Sequence, residues 1–289
     1  MKIIALSGLT SHVGCSSVCA ALAYSMSMLT KFCLCTEARF NLDRPTLSPI
    51  FGVEDSDCGY LKALKNHLEF DSQELKSPIL FKVSDTLYYL NQGTLEDSNN
   101  QEISFEQHNA QDLASSLIDS LHKNTALDFA FIDVGTVDND FKKTLVEKAD
   151  VDLTIIEADS NCLVRLNNAT LRNRQLLLIN KVIQSSQSMN NVVLLLQNSK
   201  LKDKILNAEI CFDESVLSAN LNQAPFTRFF PVSSSTDDIE RLCFEIIELC
   251  HKKDLFGDES KNTLTDSLNQ DQNSLTVNNL TVNTEAQHS

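Results

Sequence analysis

The sequence predicts an α/β fold, a mostly parallel twisted sheet with helices on both faces, and three observations carry that prediction. Short apolar runs of strand length alternate with longer segments of helical apolar spacing along most of the chain. The run Phe129–Gly135 is hydrophobic almost throughout, as a strand covered on both faces requires, and it ends in a carboxylate and a glycine, Asp133 and Gly135. The chain also opens with an apolar strand, a glycine-bearing turn and a small-residue helix in direct succession. At 289 residues and 42% hydrophobic content it can bury one large core without dividing.

The elements follow in order. Lys2–Gly8 reads as the first strand, Leu9–Ser17 as its turn, and the alanine-rich stretch after Val18 as the first helix. Phe32–Thr36 reads as a buried second strand whose outgoing loop carries Glu37, Arg39, Asn41 and Asp43. Pro45–Gly59 is turn-rich, Leu61–Leu68 helical, Leu87–Leu90 a third strand, 94–104 a polar loop, and Phe105–Leu121 a helix by its apolar spacing. After Phe129–Gly135, the runs Val151–Ile156, Leu176–Ile179 and Val192–Leu196 are read as further strands between helical segments. The last helix spans roughly Asp237–His251, with two aspartates in its first turn and Lys252-Lys253 at its end, matching the helix dipole. Beyond Gly257 asparagine, glutamine, serine and threonine dominate and no aromatic appears. The expectation is one domain over 1–256 and a disordered acidic polar tail over 257–289.

Composition limits the partners. A formal net charge of -15 opposes binding to nucleic acid or to anionic lipid, because those contacts are driven by Lys and Arg. Nine cysteines, an odd number without a C-x-x-C pair, read as reduced core thiols of a cytoplasmic protein. The six histidines show no metal-ligand spacing. A secretory leader is the rival reading of the N-terminus, but Ser7, Gly8 and Thr10 interrupt its apolar stretch after about five residues. No uncharged apolar run approaches membrane-spanning length, so no direct membrane insertion is expected.

The turn after the first strand carries the chemistry. A strand that ends in a glycine turn and feeds a helix N-terminus aims unpaired amides and the positive end of the helix dipole at one point, which suits a phosphate. The usual phosphate loop, G-x-x-x-x-G-K-[ST], adds a lysine for charge and a hydroxyl for Mg²⁺. Here Cys15 stands at the lysine position, and Ser16 keeps the hydroxyl. Asp133, at the carboxyl end of its strand, is expected to face the same crevice as Gly14.

These residues resemble the deviant-P-loop ATPases of the MinD/ParA type, and within them the BcsQ (YhjQ) branch of cellulose biosynthesis. The matching patches are Val13-Gly14 with Ser16-Ser17, residues 20–25 with Met28-Leu29, Ile132-Asp133, Asp159 with Asn161-Cys162 and Arg165-Leu166, and Leu178-Ile179-Asn180. The resemblance covers most of residues 1–256 and implies a P-loop NTPase fold that binds ATP and Mg²⁺. It assigns the phosphates to Thr10, Ser11, His12, Val13, Gly14 and Cys15, with Ser17 supporting the loop. Ser16 and Asp133 would hold Mg²⁺, Asn180 would read the adenine edge, and the water-orienting carboxylate of the family falls on Thr36 or Glu37.

Two departures from the family blunt this chemistry. Ser11 and His12 replace loop glycines, so side chains stand where the backbone should approach phosphate. Each missing lysine removes a charge-assisted hydrogen bond of about 1.5 to 3 kcal/mol, so losing both weakens binding by about 10² to 10⁴. The helix terminus returns about 1 to 2 kcal/mol. The expectation is therefore a nucleotide-binding regulator with slow or absent hydrolysis, paired as a homodimer and docked on the cytosolic face of a membrane cellulose synthase complex. A nucleotide-free scaffold of the same fold and an active partitioning or division-site ATPase are the alternatives.

Overall fold

The computed structural model describes residues 1–29, 31–39, 46–54, 59–65, 79–93 and 107–255. Within them eight strands join one sheet in the order β3-β4-β2-β5-β1-β6-β7-β8. They are β1 (Lys2–Gly8), β2 (Cys33–Glu37), β3 (Leu80–Lys82), β4 (Leu87–Leu90), β5 (Phe129–Gly135), β6 (Val151–Glu157), β7 (Gln175–Val182) and β8 (Ile205–Cys211). Every pairing is parallel except β3 against β4 at one edge. The helices are α1 (Cys15–Met28), α2 (Tyr60–Lys65), α3 (Gln107–Lys123), α4 (Asp140–Lys148), α5 (Ser160–Asn168), α6 (Gln187–Gln197), α7 (Ser215–Leu221), α8 (Phe226–Phe229) and α9 (Ser234–Leu255).

The alternation of side chains along each strand divides the core into two layers. Ile4 and Leu6 of β1 and Phe129 and Phe131 of β5 pack with α1 and α9 on one face. Ile3 and Ala5, with Ala130 and Ile132, pack against α3 and α4 on the other. A smaller cluster joins Ile156, Leu177 and Ile179 to Cys162 and Leu166 of α5 and to Val193 and Leu196 of α6. The fold is thus the mostly parallel sheet, covered on both faces, that the sequence predicts.

Three elements differ from the sequence expectation. Val192–Leu196 is helix, not strand: it lies inside α6, where the Ser186 side chain accepts from the Met189 amide at 3.3 Å as an N-cap. An apolar run of five residues does not distinguish a strand from a helix, and here Val193 and Leu196 are buried while Leu194 and Leu195 are exposed, a helical period. The strand at this edge is β8, whose buried Leu206, Ala208 and Ile210 alternate with more polar neighbours. Its outer amides are answered by α9, since Glu245 accepts from the Asn207 and Ala208 amides at 2.9 and 3.0 Å. The three-residue β3 is too short to announce itself by pattern. The expectations for 66–68, 94–106 and the tail from 257 fall outside the described residues.

Candidate functional site

Register and side-chain parity bring the candidate carboxylates together. Asp133 falls on the same side of β5 as Phe129 and Phe131, the α1 side, and Glu37 falls on the α1 side of β2 with Cys33 and Cys35. The β2–β5 pairing sets Glu37 opposite Asp133 at the carboxyl ends of adjacent strands. Thr36 points the other way, and its hydroxyl donates to the Leu90 carbonyl at 2.8 Å. Of the two positions the resemblance left open, Glu37 is therefore the one beside Asp133.

Above them the loop 9–14 turns from β1 into α1. Gly14 is the N-cap of α1 with φ 89°, and among the described residues no side chain caps the helix, so the first-turn amides open toward the loop. A methyl group on Gly14 would sit 2.6 Å from the Asn180 amide nitrogen, so the left-handed turn and its close neighbour both require glycine. From the end of β7, Asn180 donates to the Val13 carbonyl at 2.7 Å, and Lys181 places its ammonium at 2.5 Å on both the His12 carbonyl and Glu157. The loop and the α1 N-terminus line a cavity of about 380 Å³ together with Arg39, Thr46, 134–137 and Asn139. That volume lies within the range of small-ligand sites, which runs from about 300 to 1,000 Å³.

Beneath the cavity lies a closed polar knot. The Arg39 guanidinium donates through one nitrogen to the Ser16 hydroxyl at 2.7 Å and to one Asp133 oxygen. The other Asp133 oxygen accepts from the Cys15 thiol at 3.3 Å and the Gly135 amide at 3.0 Å. Ser16 in turn donates to Thr46 at 3.2 Å, and Thr46 reaches Glu37 through its amide at 2.8 Å. Tyr89 completes the Glu37 shell at 2.9 Å. Burial, and then the Asp133 charge, push the Cys15 thiol well up, so it stays a neutral donor. Burial also raises the Glu37 carboxyl, against the hydrogen bonds from Thr46 and Tyr89 that favour its charged form.

A Mg²⁺ ion would need the faces of Ser16 and Asp133 that Arg39 already joins. It would meet a guanidinium at hydrogen-bond distance from both ligands, so the residues as arranged do not fit one. Among the described residues no group of three or more His, Cys, Asp or Glu side chains is placed to hold a metal.

The structure gathers Thr10, Ser11, His12, Val13, Gly14, Cys15, Ser16 and Ser17 on the cavity wall. Asp133 and Glu37 lie behind that wall, each 1% exposed or less. Asn180 spends its amide on the loop carbonyl. Arg39, Thr46, Glu157 and Lys181 are site residues that sequence reasoning did not single out. Asp159, prominent among the matching patches, caps α5 by accepting from the Cys162 amide at 2.7 Å.

The family model for the cellulose biosynthesis protein BcsQ matches residues 1–246. This chain belongs to the BcsQ family. No curated protein matches the sequence significantly. Among solved structures, the ParA family ATPase of Chlorobium tepidum aligns with a TM-score of 0.64 and 15% identity, covering 84% of this chain and 98% of that one. The cell division ATPase MinD of Pyrococcus furiosus aligns at TM-score 0.64 and 17% identity, over 86% and 99% of the two chains. The septum site-determining protein MinD of Pyrococcus horikoshii, solved with Mg-ADP, gives 0.63 and 16%, over 87% and 98%. This BcsQ family member therefore shares the MinD/ParA P-loop NTPase fold. Among its described residues no helix is long and apolar enough to cross a membrane.

Proposed function

We propose that this BcsQ family member is a nucleotide-binding regulator of cellulose biosynthesis and secretion whose degenerate P-loop gives slow or absent ATP hydrolysis. The observation that carries the reading is the cavity of about 380 Å³ closed by residues 10–17 over an uncapped helix N-terminus. Such a terminus binds anions through its amides and dipole without needing a lysine. ATP is the ligand, with the loop 10–15 around its phosphates and Asn180 at the adenine side. Ser16 and Asp133, which the resemblance assigns to Mg²⁺, are already joined through Arg39. With no lysine from the loop and one terminal nitrogen of Arg39 committed to Asp133 and Ser16, charge developing on a γ-phosphate is weakly opposed, so turnover is slow. The working property is a nucleotide-stabilised homodimer, in which binding shifts the populated state. That dimer docks on the cytosolic face of a membrane cellulose synthase complex and reaches the membrane through its partners, while the protein itself stays cytoplasmic.

Thermal melting with ATP tests this. At about 100 times its Kd the ligand adds roughly 2.7 kcal/mol and raises the Tm, while phosphate release stays at background. An unchanged Tm at millimolar ATP overturns the reading. It would favour the second one, a nucleotide-free scaffold of the same fold, which the hydrogen bonds joining Arg39, Asp133, Ser16, Thr46 and Glu37 to one another support.

A further inference from the structure

We propose that Arg39 is the resident cation of this site, joining Ser16 and Asp133 where a divalent ion would otherwise stand, so that the chain takes a nucleoside triphosphate without metal. The proposal rests on the nucleotide reading above. It starts from charge. The sheet register sets two carboxylates, Glu37 and Asp133, side by side at the floor of the site, and the loop above them brings no lysine. A buried carboxylate needs a partner, and a triphosphate arriving on the same floor would add repulsion. Cys15, at the lysine position, is neutral and donates its own proton to Asp133. The cation comes instead from the end of β2.

Arg39 is built into this position rather than lying across it. Its amide donates to the Gln92 side chain at 2.8 Å, and the Gln92 amide donates back to the Arg39 carbonyl, so the main chain is fixed from both sides. Its side chain runs over Gly135, where a methyl group would stand 3.3 to 3.4 Å from the Arg39 Cγ, Cδ and Nε. Gly135 has φ 67°, so the bare backbone there opens the lane that the arginine fills. The guanidinium then does with one nitrogen what a metal would do with two bonds, tying the Ser16 hydroxyl to the Asp133 carboxylate.

One further feature points to a ligand. Among the described residues Arg39 Nε is buried without a hydrogen-bond partner, and Arg39 is one of the residues that line the cavity. An unspent donor on a permanently charged, planar group is suited to a phosphate oxygen, because guanidinium N–H groups bond phosphate in a fixed fork. A metal-free triphosphate brings the anionic oxygens that this donor lacks.

The test is a calorimetric titration of the full chain with ATP, once in Mg²⁺ and once in excess EDTA. The native chain is expected to bind in both buffers with Kd values within about threefold of each other. Arg39→Gln is expected to lose about tenfold or more in EDTA, as the loss of one charge-assisted contact predicts, and to regain affinity in Mg²⁺ once Ser16 and Asp133 are free. Should that variant not fold, the pair Arg39→Gln with Asp133→Asn removes both buried charges and is expected to show the same loss in EDTA. Native binding that disappears in EDTA overturns the proposal and leaves the nucleotide reading standing. An Arg39→Gln chain that binds as well as the native one in EDTA also overturns it. A folded native chain that binds in neither buffer refutes the nucleotide reading itself.

Discussion

The phosphate loop is held by different means on its two flanks. On the β7 flank the grip is on the main chain: Asn180 donates to the Val13 carbonyl and Lys181 to the His12 carbonyl. On the β2–β5 flank it is on side chains, through the Arg39 guanidinium, the Asp133 carboxylate and the Ser16 hydroxyl. The first arrangement fixes the path of the loop whatever side chains the loop carries. The second sets the charge of the site and depends on each member being present. A loop that has lost its lysines can therefore keep its shape, because shape and charge are encoded by separate strands.

Asp133→Ala should separate the two flanks most sharply. It leaves the Arg39 charge without its partner, at 13% side-chain exposure, and strips the acceptor from the Cys15 thiol and the Gly135 amide. Breaking one side of a buried ion pair costs about 3 to 5 kcal/mol, read as a drop in the urea midpoint at unchanged m-value. A loss below about 1 kcal/mol would mean that the knot is not a buried pair in solution.

Gly14→Ala probes the other flank. The added methyl must adopt φ near 89° and displace the Asn180 amide from 2.6 Å, which costs about 2 kcal/mol in backbone strain and a broken contact. Urea unfolding should show this loss, and the Tm rise with ATP should vanish with it. Retained stability would show that the loop follows another path.

How much of this was legible in the sequence divides along similar lines. The strands buried on both faces, β1, β5 and β6, announce themselves because most of their positions are apolar, and β1 and β5 place Gly14 and Asp133 at the carboxyl ends of the strands. The edge strand β8 does not, because Asn207 and Glu209 alternate with its apolar residues and leave no continuous apolar run, while the apolar run in α6 imitates a strand. Local chemistry identified the loop. The knot was hidden because its bonds join residues far apart in sequence, Arg39 to Asp133 and Cys15 to Asp133, and no spacing rule reaches across such a gap. Arg39 stood in view beside Glu37, but only the β2–β5 register shows that a cation is needed there.

Glu37 offers a finer measure of the charged flank through pH. Burial raises its carboxyl above the ordinary 4.5, against the Thr46 and Tyr89 hydrogen bonds, so the folded chain holds a proton that the unfolded chain has released. Between 4.5 and the raised value the native state binds more protons, and stability therefore falls as pH rises through that window. Glu37→Gln should remove this slope while costing about 1 kcal/mol for the altered bonds to Thr46 and Tyr89. Unfolding free energies of both chains from pH 4.5 upward decide it, and parallel profiles would place the pH response elsewhere.

The smallest effect is expected at Lys181, where the main-chain flank meets a charge. Its side chain is 35% exposed and its ammonium bridges Glu157 and the His12 carbonyl, so screening by water and salt holds the ion pair below about 1 kcal/mol. Its backbone is left-handed, φ 59°, a conformation that glycine adopts without cost. Lys181→Ala keeps that strain and loses the contact, whereas Lys181→Gly loses the contact and relieves the strain. If Asn180 alone sets the loop path, the alanine variant should fall by less than about 1 kcal/mol and the glycine variant should match the native chain, in low and high salt alike. A larger loss in both, reduced by salt, would show that charge holds the β7 flank as well, and the division between shape and charge would fail.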